Sequence, residues 1–120
     1  MTAALALALL LAGPNLVVNG DFETLQDGWP AGWSRGWSRD GAAAFRCELS
    51  TEARGGQHAV RFVHTGAQDW SLQPPALVVK EGDLLELSCW VKQPGEGEVV
   101  LCATLAPAQG EQGIQWAAGT

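Results

Sequence analysis

Apolar and polar positions alternate in several short stretches of the chain, with the period of two that is typical of β-strands. The clearest stretch is LLELSCWVK (84–92), in which Leu85 and Leu87 point to one face and Glu86 and Trp90 to the other. Other runs rich in alternating or β-prone residues predict further strands at NLVV (15–18), AAAFRCEL (42–49), HAVRFVH (58–64), 70–72, 76–79 and EVVLCATLA (98–106).

Residues typical of turns separate these runs. They are Asn19-Gly20, Arg54-Gly55-Gly56, Glu81-Gly82-Asp83 and the segment 93–97. After the first 13 residues, no window predicts a convincing amphipathic helix. The pattern therefore predicts an all-β fold, an antiparallel β-sandwich or barrel, in a single domain over residues 14–120.

The segment NGDFETLQDGWPAGWSRGW (19–37) does not follow the strand pattern. Trp29, Trp33 and Trp37 recur every four residues, which would place them on one face of a helix. Proline and glycine between them disfavour a helix, because proline lacks a backbone donor and glycine has a low helix propensity. We therefore predict an irregular loop with exposed or edge-packed indoles.

The first residues, MTAALALALLLAG (1–13), form an apolar run with the length of a signal-peptide core, too short to span a bilayer. The run predicts export to the extracellular space or periplasm. Since no Lys or Arg precedes it, two alternatives stay open: the true start lies upstream, or the segment is an apolar N-terminal strand or helix.

Charge and motif content disfavour several function classes. A net charge of −6 repels phosphate backbones, so nucleic acid is not a predicted partner. Signatures of a nucleophilic serine, a phosphate loop or a zinc site are absent, and we predict a non-enzymatic protein. The sequence does not exclude glycosidase-like chemistry by a pair of carboxylates, because thirteen acidic residues are available to converge in space. Cys47, Cys89 and Cys102 allow at most one internal disulfide, and the alternative for Cys89 and Cys102 is that they are small buried hydrophobes in strands.

Aromatic usage points toward a binding function. The chain has six tryptophans and no tyrosine. An indole has a flat apolar face that suits stacking on the C–H face of a sugar ring. Trp90 lies opposite the aliphatic face of its predicted strand, beside Glu86, as a binding platform requires. The alternative for every tryptophan is packing in the core.

Four segments in order, NLVVNGDFE, GWPAGW, GGQHAVRFV and VVKEGDLLELSCWVK, resemble a carbohydrate-binding module of the CBM4/9 (CenC-like) group. The resemblance covers residues 15–106. It implies a jelly-roll sandwich of the galactose-binding-like superfamily, often attached to a glycoside hydrolase, with a structural calcium ion near the first strand. Glu23 matches a position that often supplies a calcium carboxylate, and Asp21 is its neighbour.

The chain departs from the family pattern in two ways. Leu85 and Cys89 replace aromatic residues that are common in the strand at 84–92. The sequence ends at AAGT, where the family continues through further strands, so we expect the last strands of the sandwich to be missing.

The resulting prediction is a secreted, non-catalytic module that stacks tryptophans on a polysaccharide such as β-glucan or xylan. A separate hypothesis is that the full-length parent is a glycoside hydrolase with its catalytic domain downstream. The alternative is a structural or adhesive jelly-roll module that contacts another domain or a cell-surface protein. The predicted ligand-binding residues are Trp90, Glu86, Trp70, Arg61, Gln68, Gln73, Trp33 and Trp37, and the predicted calcium ligands are Glu23 and Asp21.

Overall fold

The computed structural model describes residues 13–107 and 115–119. The predicted signal peptide, apart from Gly13, lies outside these residues. The strands are β1 (Leu25–Gln26), β2 (Trp29–Pro30), β3 (Trp37–Ser38), β4 (Phe45–Ser50), β5 (Ala59–His64), β6 (Trp70–Ser71), β7 (Cys102–Leu105) and β8 (Gln115–Gly119). The helical structure in the described part is a single 3₁₀ turn, Ala42–Ala44.

All of these strands pair antiparallel in two-stranded sheets, in the pairs β1–β2, β3–β6, β4–β5 and β7–β8. The predicted all-β class is confirmed at this level: the described chain is built from strands and turns with almost no helix. The chain divides into two compact units, with the boundary after Leu77. We describe the first unit from residue 13 to 77 and the second from residue 78 onward.

The β4–β5 hairpin is the longest ladder of the first unit. It confirms the strand predicted at 58–64, and it confirms the one predicted at 42–49 from Phe45 onward, since Ala42–Ala44 form the 3₁₀ turn. Its register pairs Phe45 with His64 and Glu48 with Arg61. On its exposed side, Glu48 forms ion pairs with Arg46 at 3.3 Å and with Arg61 at 3.5 Å. Such exposed pairs stabilise a fold only slightly, so the hairpin depends on its other, apolar side.

Aromatic rings form that apolar side. Phe62 of β5 stacks on Phe45 with ring centroids 5.3 Å apart and on Trp70 with centroids 4.4 Å apart. Gly36 lies against these rings, because a Cβ built on it would stand 2.6 Å from the ring of Phe62. Glycine is therefore the residue that allows the tryptophan-rich segment to approach the hairpin.

The tryptophan-rich segment is more ordered than the predicted loop, since it contains β1, β2 and β3. Trp29 is 5% exposed and Pro30 is fully buried. The indole Nε1–H of Trp29 donates to the carbonyl oxygens of Trp33 and Ser34 at 3.1 and 3.2 Å. The expectation of exposed or edge-packed indoles is therefore wrong for Trp29, which a short ladder and these two acceptors hold inside.

The strand predicted at residues 15–18 is also wrong, because this segment forms an irregular stretch and a turn. The side chain of Asn15 accepts the backbone N–H of Val17 at 3.0 Å, and Asn19 has a positive φ of 54°. Local hydrogen bonds of asparagine side chains compete with strand pairing, and here they prevail.

In the second unit, β7 and β8 pair across a register shift between Ala103 and Thr104. The strand predicted at 98–106 is confirmed only over the four residues of β7. The strands predicted at 76–79 and 84–92 are wrong: these residues belong to no strand. Leu84 is 96% exposed and Leu87 is 47% exposed. An alternating sequence forms a strand only when a neighbouring strand satisfies its backbone groups, and the described residues supply none here.

Two further features follow from the described residues. None of their helices is long and apolar enough to cross a membrane. Cys47, Cys89 and Cys102 are all free thiols, and burial raises the pKa of the Cys47 thiol.

Candidate functional site

The β3–β6 pair positions the exposed aromatic side chain of the first unit. Its register places Trp37 opposite Ser71 and Ser38 opposite Trp70. Residues directly opposite in an antiparallel pair share a face, and neighbours along a strand alternate between faces. Trp37 and Trp70, both predicted to bind ligand, therefore lie on opposite faces of the pair.

One face carries Trp37, Arg39, Asp69 and Ser71, and we call it the Trp37 face. The Arg39 backbone N–H donates to the Asp69 carbonyl oxygen at 3.0 Å, which extends the pairing beyond β3. The guanidinium of Arg39 donates to both carboxylate oxygens of Asp69, at 2.6 and 3.0 Å. Two parallel bonds of this kind fix the position of both side chains.

The indole of Trp37 lies beside this ion pair. The guanidinium carbon of Arg39 is 5.5 Å from the centroid of the Trp37 ring, within the range of a cation–π contact. Trp37 nevertheless remains 48% exposed. Hydrogen bonding to Arg39 holds the pKa of the Asp69 carboxyl below its ordinary value, and the same bond raises the pKa of Arg39. The Trp37 face thus combines an exposed apolar ring with donors and acceptors that are already oriented.

The opposite face of the pair packs inward. Ser38 is 5% exposed, and Trp70 stacks on Phe62. The ring of Phe62 covers one face of the Trp70 indole, and that face therefore cannot stack on a ligand.

Ser38, His64 and Asp40 form a polar cluster on this inward face that sequence reasoning missed. Ser38 Oγ is 2.8 Å from His64 Nε2, and the same nitrogen is 3.3 Å from Asp40 Oδ2. In a catalytic triad, the serine and the carboxylate contact different nitrogens of the imidazole ring, so that the carboxylate orients the base. Because both oxygens approach Nε2 and Ser38 is buried, this geometry suits structural hydrogen bonding and not nucleophilic catalysis.

The remaining polar residues predicted in the first unit are not gathered into one site. Arg61 pairs with Glu48, the backbone N–H of Gln68 donates to Asp40 at 2.8 Å, and that of Gln73 donates to Ser34 Oγ at 2.9 Å. These three residues are exposed, but their contacts connect different parts of the unit.

Trp33 is half-buried, and its contacts fix it to the turn that precedes β1. Its Nε1–H donates to the carbonyl oxygen of Asn19 at 2.9 Å. Its ring meets Phe22 edge-on, with centroids 4.7 Å apart. These contacts give Trp33 a packing role.

Trp90 and Glu86 lie in the second unit and are both exposed, Trp90 by 77%. Their predicted arrangement on one face of a strand is not formed, since residues 84–92 belong to no strand. Trp90 is exposed, as the sequence analysis expects for a binding residue, but it does not share a strand face with Glu86 as that analysis predicts.

The predicted calcium ligands lie in the turn before β1. Asp21 Oδ1 accepts the backbone N–H of Glu23 at 3.2 Å. Glu23 Oε1 accepts the backbone N–H groups of Gln57 at 2.7 Å and His58 at 3.0 Å, and Oε2 is 3.0 Å from His58 Nδ1. Calcium prefers several oxygen ligands, whereas nitrogen donors surround this carboxylate, so the side chains as placed do not fit a calcium site. Calcium binding by Glu23 and Asp21 stays a prediction.

Sequence reasoning overlooked Arg39 and Asp69, the residues that make the Trp37 face. The hint in the sequence is the position of these two residues, because Arg39 follows Trp37 by two residues and Asp69 directly precedes Trp70. Residues two apart on a strand lie on the same face, but the contact between Arg39 and Asp69, which spans 30 residues, could not be inferred from the sequence.

Comparisons with known proteins provide no family for the chain. No family model matches the sequence, and neither a curated protein nor a solved structure shows a significant match.

Proposed function

We propose that the chain is a secreted, non-catalytic carbohydrate-binding module of the β-sandwich class, and that it binds polysaccharide through the Trp37 face. The observation that carries this proposal is the exposed indole of Trp37 beside the Arg39–Asp69 ion pair, which is joined by two hydrogen bonds. Glycan sites in general require an apolar surface for the sugar ring and oriented polar groups for its hydroxyls. The resemblance to CBM4/9 modules points in the same direction.

Three residues of the Trp37 face have a role in this proposal. The free part of the Trp37 indole stacks on the C–H face of a pyranose. Asp69 accepts from sugar hydroxyls, and Arg39 donates to them. Since the pair is formed before the ligand arrives, binding does not have to order these two side chains, which lowers its entropic cost. The opposite charges of Arg39 and Asp69 favour an uncharged glycan such as β-glucan or xylan.

Affinity electrophoresis of Trp37→Ala through gels that contain β-glucan, xylan or mannan tests this proposal. We expect the variant to lose about tenfold in affinity, since an aromatic contact contributes about 0.5–1.5 kcal/mol beyond its buried area and 1.4 kcal/mol is a factor of ten. Circular dichroism verifies that the variant is folded, and Leu84→Ala, at a position 96% exposed, is the matched control. Unchanged retention of folded Trp37→Ala would exclude the Trp37 face as the site. Loss of retention in Trp90→Ala alone would assign binding to the second unit.

A second candidate function is a structural or adhesive module that contacts another protein. The observation that favours it is the exposure of large apolar side chains in the second unit, with Val78 97%, Leu84 96% and Trp90 77% exposed. Exposed apolar surface of this kind marks contact sites in many proteins. A tryptophan fluorescence titration separates the two functions, because a glycan module responds to one of the polysaccharides and an adhesive module responds to none.

A further inference from the structure

The turn before β5 directs several N–H groups at a single carboxylate. Gln57 N and His58 N lie 2.7 and 3.0 Å from Glu23 Oε1, and His58 Nδ1 lies 3.0 Å from Oε2. Glu23 precedes these residues by 34 and 35 positions, so the contact joins distant segments of the first unit. Both oxygens of one carboxylate are therefore bound by one short segment of the chain.

The backbone around Gly56 is shaped for this contact. Gly56 has a φ of +66°, a conformation that side chains rarely adopt. A Cβ built on Gly56 would overlap Oε1 of Glu23. Successive backbone N–H groups next to a residue of positive φ form concave anion sites in proteins. The absence of a side chain at Gly56 opens the concavity to the carboxylate.

Electrostatics agree with an anion in this position. An ionised carboxylate only accepts hydrogen bonds, so His58 Nδ1 must carry the hydrogen that points to Oε2. The backbone hydrogen bond from His58 is the largest contribution that lowers the pKa of Glu23, which favours its charged form. His58 from the turn before β5 faces this carboxylate, and Asp21 in the same turn as Glu23 accepts the Glu23 backbone N–H.

We propose that residues Gly56, Gln57 and His58 form a carboxylate-binding site, occupied by Glu23 of the same chain, that accepts a small free carboxylate such as acetate when the Glu23 side chain is removed. The site works without a metal ion. It assigns Glu23 to an internal contact in place of calcium coordination, and it does not depend on glycan binding.

Chemical rescue of Glu23→Ala tests this proposal. The melting temperature of the full chain is measured in sodium acetate and in sodium chloride at equal ionic strength and neutral pH. In chloride we expect Glu23→Ala to melt about 4–8 °C below the wild type, the shift that a modest destabilisation causes in a domain of this size. Acetate should raise the melting temperature of the variant progressively with concentration, because a ligand that binds only the folded state stabilises it by mass action. The wild type, whose site is filled, should not respond.

Two variants serve as controls. Glu48→Ala removes a carboxylate that forms only exposed ion pairs, so its melting temperature should not depend on acetate. Gly56→Ala in combination with Glu23→Ala places a methyl group in the concavity, so acetate should not rescue the double variant. Equal melting temperatures of Glu23→Ala in acetate and chloride would overturn the proposal. The proposal is also overturned if a chelator destabilises the wild type, calcium restores it and acetate has no effect on Glu23→Ala.

Amide hydrogen exchange of the wild type provides a test that does not require the variant to fold. The N–H groups of Gln57 and His58 should exchange markedly more slowly than that of Gly55, because Glu23 binds the first two. Exchange of all three at the rate of an unprotected turn would contradict the proposal.

Discussion

The tryptophan-rich segment 19–37 and the alternating segment 84–92 differ in how far their tryptophan side chains are buried. Trp29 is 5% exposed and bonded to two carbonyl oxygens, whereas Trp90 is 77% exposed. The first segment has no regular period, but it lies against a hairpin that presents aromatic rings. The second has the clearest strand pattern of the chain, and its residues belong to no strand. Burial in this protein follows from the available partner surface more than from the regularity of the pattern.

Removal of the central aromatic ring should have the largest effect on this difference. Phe62→Ala deletes the ring that stacks on both Phe45 and Trp70. We expect it to lower the free energy of unfolding of the first unit by about 2–4 kcal/mol, as large-to-small substitutions in aromatic clusters do. Leu84→Ala in the second unit should change stability by no more than about 0.5 kcal/mol. Urea denaturation measures both variants, and equal losses would show that the two segments are equally packed.

A glycine pair sharpens the comparison at the point where the tryptophan-rich segment meets the hairpin. Gly36 and Gly28 both have positive φ, 84° and 73°, but a Cβ would meet the Phe62 ring at Gly36 and open space at Gly28. The backbone strain of alanine is similar at both positions, so the difference between the variants isolates the steric effect. We expect Gly36→Ala to be less stable than Gly28→Ala by about 1–3 kcal/mol. Equal thermal stability of the two variants would contradict the close approach of segment and hairpin.

The smallest expected effect concerns pH. Arg39 holds the pKa of the Asp69 carboxyl below its ordinary value of 3.8. The pairing is therefore complete above the ordinary pKa and is lost as pH falls through the lowered value. The fluorescence of Trp37, obtained as the difference between wild type and Trp37→Ala, should change in that acidic range. Asp69→Asn should remove this change, and an identical titration in Asp69→Asn would show that another group causes it.

The sequence predicted parts of the fold for which local information is sufficient. Alternating apolar residues on both sides of a glycine turn predict the hairpin strands β4 and β5, and both are present. The segments 15–18 and 84–92 also contain β-prone residues, but Asn15 and Asn19 form a turn in the first, and no strand among the described residues pairs with the second. Strand pairing depends on such partners, and a single sequence does not identify them.

The candidate site was predictable only in part. The sequence singled out Trp37 by its residue type, and it also predicted Trp33 and Trp70, which pack against Phe22 and Phe62. It did not identify Asp69, because the contact with Arg39 spans 30 residues. The sequence does not reveal the carboxylate site around Gly56 for the same reason, although Gly55-Gly56 predicts a turn.

Indole N–H signals in NMR spectra test the central claim, glycan binding on the Trp37 face, most directly. The Trp37 signal is assigned by its absence in Trp37→Ala, and the wild type is titrated with oligosaccharides of β-glucan and xylan. We predict that the Trp37 signal shifts in a saturable manner with one of them. The Trp29 signal should stay fixed, because its N–H is bonded to Trp33 and Ser34 inside the unit. The account would be contradicted if the Trp37 signal does not shift with either oligosaccharide, whether or not the signal of another tryptophan shifts.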